Sequence, residues 1–423
     1  MEFVKLKILP TFLLAEGMND DSRADGTMKV RLGEVVRCPP RWLLLRIESD
    51  DGLVGWGEGI GDLHEEVEAA MAALAKRIEG CEIDGIKRFI KEMHSGRFWR
   101  DGPVLNSAVS ALEMALWDLR GQELGAPAHV LLGGPVRDRV RVYRNLWGRN
   151  AAEFASSAEA AIDEGLDMVK VSPAGPTAAV PNDHDLAEII AIVAAVRESI
   201  DAKTSPGEVS LAIDLHGRLS PAASRRLLPS LQQFDITFVE EPCLANGSAH
   251  HLRDLQELHL AQPIPLATGE RLLTRRTFAD HLFPSPVAAV LQPDLSLVGG
   301  ISAGIAIGEM CSAAEVALAP HCPYGPIQLA ASIQVAAASS AHAFQEFQSL
   351  GGAGGGGQPG GGAKWAFDLL KTPFEVLDGM VGIPTGPGLG ITIEEERIAE
   401  HADLWNPHPP TLWHHADGSY AEW

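Results

Sequence analysis

Ser210-Leu211-Ala212-Ile213-Asp214 and Ile236-Thr237-Phe238-Val239-Glu240 are two short apolar runs, each closing on an acid, with a helical stretch between them. Strand, helix, strand at this spacing means parallel pairing through a right-handed crossover. The same texture continues outward on both sides. Val140–Arg144 and Met168–Ser172 precede the pair, and Pro265–Thr268, Ala289–Gln292, Ala317–Ala319 and Ala343–Glu346 follow it. Eight such units, each strand but the last leading into a helical segment, predict an α/β chain built on a (β/α)8-type barrel of roughly 250 residues.

Upstream, residues 1–125 mix strands and helices. Met1–Leu9 alternates polar and apolar residues and reads as a first strand, with neither the basic start nor the long apolar stretch of a secretory signal. Arg41–Ile47 and Leu53–Trp56 flank the turn residues Asp50-Asp51-Gly52 and read as a hairpin. Helical patterns follow over Leu63–Glu79, Gly85–His94 and Leu105–Leu124, the last closed by Gly125 and the Ala126-Pro127 step. The acidic stretch Glu16–Gly26 reads as a loop. Gly351–Ala363, with nine glycines, reads as a surface insertion; its formal G-x-G-x-x-G opens no βαβ unit and carries no dinucleotide meaning.

The chemistry lies in where the acids and histidines fall. Asp214 and Glu240 end the third and fourth strands; Glu270 and Asp294 lie just past the fifth and sixth. His321 lies just past the seventh, and Glu346 ends the eighth. The intervals are 26, 30, 24, 27 and 25 residues, close to one βα unit each. In a barrel these strand ends converge on one mouth. One carboxylate after a strand is more often a helix N-cap, but six titratable groups at one end, once per unit, call for a site. Asp214, Glu240 and Glu270 make a hard, all-oxygen set that suits Mg2+. Magnesium there could chelate a carboxylate substrate and stabilise the charge formed when a proton leaves the adjacent carbon. His321 with Asp294 is a candidate base, the carboxylate fixing the tautomer. His216, two residues past Asp214, is expected on the same strand face as a second acid/base group. Proton removal at one carbon and acid-assisted loss of hydroxide from the next make a β-elimination.

Read in order, Asp214-Leu215-His216-Gly217-Arg218, Phe238-Val239-Glu240-Glu241-Pro242, Ala267-Thr268-Gly269-Glu270-Arg271, Gln292-Pro293-Asp294-Leu295-Ser296 and Ala319-Pro320-His321-Cys322-Pro323 resemble the active-site motifs of the galactonate dehydratases, in the mandelate racemase group of the enolase superfamily. Pro39-Pro40-Arg41-Trp42, Val54-Gly55-Trp56-Gly57-Glu58, Pro387-Gly388-Leu389-Gly390 and the ending Ala421-Glu422-Trp423 extend the resemblance through the whole chain. It implies an α+β capping domain from residues 1–125, a barrel over 126–385 and a segment, 386–423, returning to the cap. It also implies one Mg2+ on Asp214, Glu240 and Glu270, with Asp294 and His321 removing the C2 proton. His216 would assist departure of the 3-hydroxyl, Glu346 would hydrogen-bond the substrate carboxylate, and Glu241 would stand behind the metal ligands. The implied reaction converts D-galactonate to 2-dehydro-3-deoxy-D-galactonate and water. Another sugar acid (gluconate, mannonate, an aldarate), racemisation, or a barrel without turnover are the alternatives. Val169-Lys170-Val171-Ser172 lacks the K-x-K of the racemases and cycloisomerases, which disfavours racemisation. Glu16–Val36 is expected to be a longer loop than galactonate dehydratases carry, in the region where the superfamily sets substrate choice.

A net charge of −22 excludes a nucleic-acid partner, which needs a basic face. No apolar run approaches the roughly 20 residues of a membrane span. The five cysteines are odd in number and form no C-x-x-C pair, which fits a reducing cytoplasm and excludes a cysteine zinc site. Cys322, beside His321, reads as a small buried residue and not a nucleophile. Gly300-Ile301-Ser302-Ala303-Gly304 matches a nucleophile elbow formally, but reads as a helix start. His250-His251 and His414-His415 lack metal-site spacing. Trp405, Trp413 and Trp423 read as packing or as contacts of a homo-oligomer, and the expected ligand is a small acid sugar.

Overall fold

The computed structural model describes residues 27–347, 369–407 and 412–421, apart from 97, 174, 176, 179 and 416. The strand expected at Met1–Leu9, the acidic stretch Glu16–Gly26 and the glycine run Gly351–Ala363 lie outside these residues. The chain opens with an antiparallel meander, β1 (Val30–Cys38), β2 (Trp42–Ser49) and β3 (Val54–Gly59). The β2–β3 hairpin is the one expected. The Glu16–Val36 loop is corrected from Val30 onward: Val30–Val36 is strand, paired with β2 through Val36↔Leu44. A register shift between Val30 and Leu32 breaks the alternation that would have exposed it as a strand.

Two long helices, His64–Ile78 and Pro103–Leu124, pack on this sheet. Pro103 sits in the first turn, where its missing N–H costs nothing, and Gly125 closes the helix with φ 64°. β3 presses so closely on Pro103–Leu124 that a Cβ on Gly55 or Gly57 would meet the Ala115 or Ala111 carbonyl.

Eight parallel strands follow: β4 (Arg139–Asn145), β5 (Met168–Val171), β6 (Ser210–Asp214), β7 (Ile236–Glu240), β8 (Leu266–Thr268), β9 (Val290–Leu291), β10 (Ala317–Leu318) and β11 (Gln345–Glu346). Each overlaps an expected strand. Neighbours pair in sequence from β4 to β10. β11 pairs with β4, and the Leu318↔His342 bridge joins its approach to β10, closing the barrel. Tyr143, Met168, Ala212, Phe238, Ala267, Val290 and Ala319 form one apolar layer inside it, mixing bulky and small side chains as a packed interior requires. β12 (Val376–Leu377) and β13 (Met380–Gly382) form a hairpin against the start of β4.

Cap and barrel are joined by buried carboxylates. Glu113, on the cap helix Pro103–Leu124, accepts the N–H groups of Ile301 and Ser302 at 2.7 and 2.8 Å, at the N-terminus of the barrel helix Gly300–Ala313. Glu58, on β3, accepts those of Gly325 and Gln328 at 2.5 and 2.9 Å, at the N-terminus of the barrel helix Pro326–Ala338. Unpaired helix N–H groups and the helix dipole favour negative charge there, against the cost of burying it. The C-terminal segment returns to the cap: Asp118 takes the Leu389 N–H at 2.8 Å, and Glu395 pairs with Arg46 on β2 at 3.1 Å. Among the described residues no helix is long and apolar enough to cross a membrane, and all five cysteines are free.

Candidate active site

Side chains alternate along a strand, so the residue two beyond an inward apolar residue also points inward, one layer higher. Two residues beyond Tyr143, Met168, Ala212, Phe238, Val290 and Ala319 stand Asn145, Lys170, Asp214, Glu240, Gln292 and His321; Glu346 stands two beyond Phe344, which packs on the same layer. The apolar plug is thus covered by a polar layer at the C-terminal strand ends. β8 departs from the pattern. Two beyond Ala267 is Gly269, with φ 142°, where a Cβ would meet the Gln292 backbone. Glu270, the next residue, takes the place, which lengthens the interval before it by one residue and shortens the interval after it by one.

Asp214, Glu240 and Glu270 each present an oxygen within 4.8 Å of the others, as the sequence predicted. Burial, reinforced by the neighbouring carboxylates, pushes Asp214 and Glu240 above the usual carboxylate range, against the pull of Lys170. Burial acts on Glu270 the same way, but His321 and Arg271 outweigh it and hold Glu270 well below. The buried Oε1 of Glu240 has no hydrogen-bond partner among the described residues. A small, hard cation fits a cluster with this geometry, this mutual repulsion and that orphaned oxygen.

Lys170 is the main site residue that the spacing argument did not assign. It is 1% exposed, with Nζ 2.6 Å from Glu240 Oε2, 3.4 Å from Glu346 Oε1 and 3.8 Å from Asp214 Oδ2. Gln292 Nε2 donates to Glu240 Oε2 at 2.8 Å. Both lie in the inward register, the signal that could have found them.

His321 Nδ1 is 2.8 Å from Asp294 Oδ2, and its Nε2 is 3.2 Å from Glu270 Oε2 and 4.0 Å from Glu346 Oε2. Burial opposes its charge, but Glu270, Glu346 and Asp294 together raise it to about 10. Asp294 also caps the short helix Leu295–Val298, its Oδ1 accepting the Ser296 N–H at 2.7 Å. One oxygen of this carboxylate thus caps a helix while the other faces His321.

His216 reaches the mouth by a different route from the one expected. β6 ends at Asp214, and His216 lies beyond it with φ 51°, so the strand-face argument does not apply. Its N–H donates to Asp214 Oδ1 at 2.8 Å, and this turn brings Nε2 to 3.1 Å from Asp214 Oδ2. A left-handed conformation at a non-glycine residue costs on the order of 1–3 kcal/mol and clusters at functional sites. Burial pushes this imidazole down to about 4. The two histidines are therefore driven apart, one toward the charged form and one toward the neutral.

Glu346 Oε1 accepts from Asn145 Nδ2 at 2.5 Å and Oε2 from the Cys322 N–H at 2.7 Å. Burial would raise it, but Lys170 and His321 hold it low. Glu241, fully buried with φ 38°, takes Arg271 Nε at 2.8 Å, while Arg271 donates to the His216 carbonyl at 3.0 Å. The Cys322 thiol is buried and pushed far above its ordinary range, so only its backbone serves the site. Ser302 is tied to Glu113 and to Trp117 Nε1, not to a histidine base. Trp405 stacks edge-on near His64, and Trp413 carries the Arg218 guanidinium over its ring at 4.7 Å.

Comparison with known proteins matches residues 31–133 to the mandelate racemase / muconate lactonizing enzyme N-terminal domain and residues 153–397 to the enolase C-terminal domain-like family. A D-galactonate dehydratase of Variovorax paradoxus (strain S110) is 36% identical over 401 residues, 94% of this chain and the whole of that protein. One from Cronobacter sakazakii (strain ATCC BAA-894) is 35% identical over the same shares. Among solved structures, a mandelate racemase/muconate lactonizing enzyme from Jannaschia sp. CCS1 matches with TM-score 0.77 and 29% identity, over 88% of this chain and 97% of that one. A mandelate racemase/muconate lactonizing enzyme-like protein from Roseovarius sp. TM1035 matches with TM-score 0.79 and 27% identity, over 91% and 97%.

Proposed function

This chain belongs to the mandelate racemase / muconate lactonizing enzyme family of the enolase superfamily, and from that premise we propose a Mg2+-dependent hydro-lyase that dehydrates an acid sugar, D-galactonate first among candidates. The observation that carries the reading is the meeting of three convergent carboxylates with two histidines at one barrel mouth, His216 beside Asp214 and His321 between Asp294 and Glu270. Near-complete alignment with D-galactonate dehydratases supports the choice of substrate.

Asp214, Glu240 and Glu270 would hold the ion, which when bound supplies a Lewis acid for the substrate carboxylate and for the charge that develops on it. Lys170 adds a fixed positive charge in the same layer. Asp294 orients His321 through Nδ1, leaving Nε2 to take the proton from C2. A base must be neutral, and the carboxylate that faces Nε2 and favours its proton is that of Glu270, at 3.2 Å. Neutralising that carboxylate lowers His321 toward the range a base needs. His216 gives a proton to the departing 3-hydroxyl, so hydrogen leaves C2, hydroxide leaves C3 as water, and the enol becomes a 2-keto acid. An anionic substrate beside His216 raises its hold on that proton. Glu346 hydrogen-bonds the substrate carboxylate once it carries a proton, which the approach of a second anion favours.

The same reading divides the chain into a cap (1–125), a barrel (126–385) and a returning segment (386–423). The free cysteines support a cytoplasmic setting. The exposed Phe98 and Trp99, in edge-to-face contact, support assembly of identical copies. The deciding experiment incubates the protein and Mg2+ with a panel of aldonates and aldarates and measures 2-keto acid. Turnover of D-galactonate above the others supports the full reading, and turnover of a different member corrects the substrate. C2–H exchange in D2O without loss of water replaces dehydration by racemisation, and neither reaction on any member rejects the enzyme.

A further inference from the structure

Gln328 is fully buried near the start of the helix Pro326–Ala338. Its Nε2 donates to Asp294 Oδ1 at 2.8 Å and to the His321 carbonyl at 3.3 Å. One amide thus touches both members of the candidate base pair. Asp294 Oδ1 already accepts the Ser296 N–H, and Oδ2 faces His321 Nδ1. The Ser296 bond fixes one oxygen from the chain side. The Gln328 bond comes from another element, so the carboxylate plane cannot tilt without breaking a bond that leaves a buried polar group unsatisfied. The helix bearing Gln328 is itself anchored from the cap, since Glu58 accepts the Gly325 and Gln328 backbone N–H groups. A continuous set of hydrogen bonds therefore runs from β3 of the cap through Gln328 to Asp294 and His321.

We propose that Gln328 is a positioning residue for the Asp294–His321 pair, held in register by Glu58 of the cap. The proposal rests on the reading of His321 as the C2 base. Among the described residues the hydrogen bonds of Gln328 beyond its own helix go to Glu58, Asp294 and the His321 carbonyl, not to the candidate metal ligands, so it acts through the aim of a carboxylate. An imidazole whose orienting partner is free to swing spends less time aligned on the C2–H bond, while ground-state binding of the substrate is untouched.

The test is a double-mutant cycle with Gln328→Met, which keeps volume and removes the donor, in the wild-type and Asp294→Asn backgrounds. Both dehydration and C2–H exchange are measured with Mg2+ and D-galactonate, or with whichever acid sugar the panel identifies. We expect Gln328→Met to lower kcat about tenfold and leave KM within about twofold. In Asp294→Asn the same change costs less than about twofold, because two residues acting through one another are not additive. A full tenfold loss in both backgrounds, an unchanged kcat, or a loss confined to KM overturns the proposal. Thermal melting checks folding. If Gln328→Met does not fold, Gln328→Asn, whose amide stops one carbon short of Asp294, carries the same cycle. A wild-type protein that neither dehydrates nor exchanges any acid sugar overturns the enzyme reading and this proposal together. An active wild type with an additive cycle overturns only the role of Gln328.

Discussion

His321 lies between two carboxylates of different function, with Nδ1 2.8 Å from Asp294 Oδ2 and Nε2 3.2 Å from Glu270 Oε2. Its reactive nitrogen faces a candidate metal ligand. Charge on the metal site and basicity of the imidazole are therefore linked, and removing either partner has distinct consequences.

His321→Asn should abolish both dehydration and C2–H exchange in D2O. Asp294→Asn should cost less, on the order of 10²-fold, because the imidazole remains and only its aim and tautomer suffer. Exchange retained in His321→Asn would transfer the base role to another residue, with His216 the nearest alternative.

His216 divides the chemistry in a separable way. His216→Asn should lose roughly 10²-fold or more in dehydration of the hydroxy substrate, the scale of a lost general acid. Elimination from an analogue bearing fluoride at C3 should survive, because fluoride leaves without protonation. Equal losses on both substrates would reduce His216 to a supporting contact of Asp214, from which it stands 3.1 Å.

Most of this site was legible because a barrel strand reports its inward face every second residue. Asp214, Glu240, His321 and Glu346 lie two residues beyond Ala212, Phe238, Ala319 and Phe344. The eight strands were legible as short apolar runs separated by helical stretches. Lys170 follows that rule too, but a lysine between two valines reads as an interrupted K-x-K motif until the layer beneath it is known. His216 was placed correctly on a wrong argument, since no periodicity forecasts the left-handed turn that carries it. Gln328 was invisible. It belongs to a helix, and its meaning depends on Glu58, separated from it by 270 positions in sequence. The strand Val30–Cys38 was passed over because its register shift hides the alternation.

The metal set predicts a graded response. Glu240→Gln should weaken Mg2+ binding measured by calorimetry and reduce turnover by at least about 10²-fold, since a ligand to the activating ion is lost. A chelator should remove activity from the unmodified protein, and added Mg2+ should restore it. Undiminished Mg2+ affinity in Glu240→Gln would move the ion elsewhere in the mouth.

The cap–barrel joint makes stability depend on pH in a direction that one residue can isolate. Burial pushes Glu58 from an ordinary 4.5 up to about 8, outweighing the Gln328 and Gly325 N–H groups that pull the other way, and pushes Glu113 to about 7. Between the ordinary and the raised values the folded chain holds protons that the unfolded chain has released. Stability from these two groups is thus complete below about 4.5 and is lost as pH rises through about 7 and 8. Glu58→Gln cannot titrate, yet its amide oxygen can still accept from the helix N-terminus. The melting temperature of the unmodified protein should fall more steeply between about pH 5 and 8 than that of Glu58→Gln, with the gap between the curves changing most between about pH 5 and 7 and levelling off above about 8. Parallel curves across that window would mean that Glu58 is already ionised inside the fold, stabilised by the helix N–H groups against the cost of its burial.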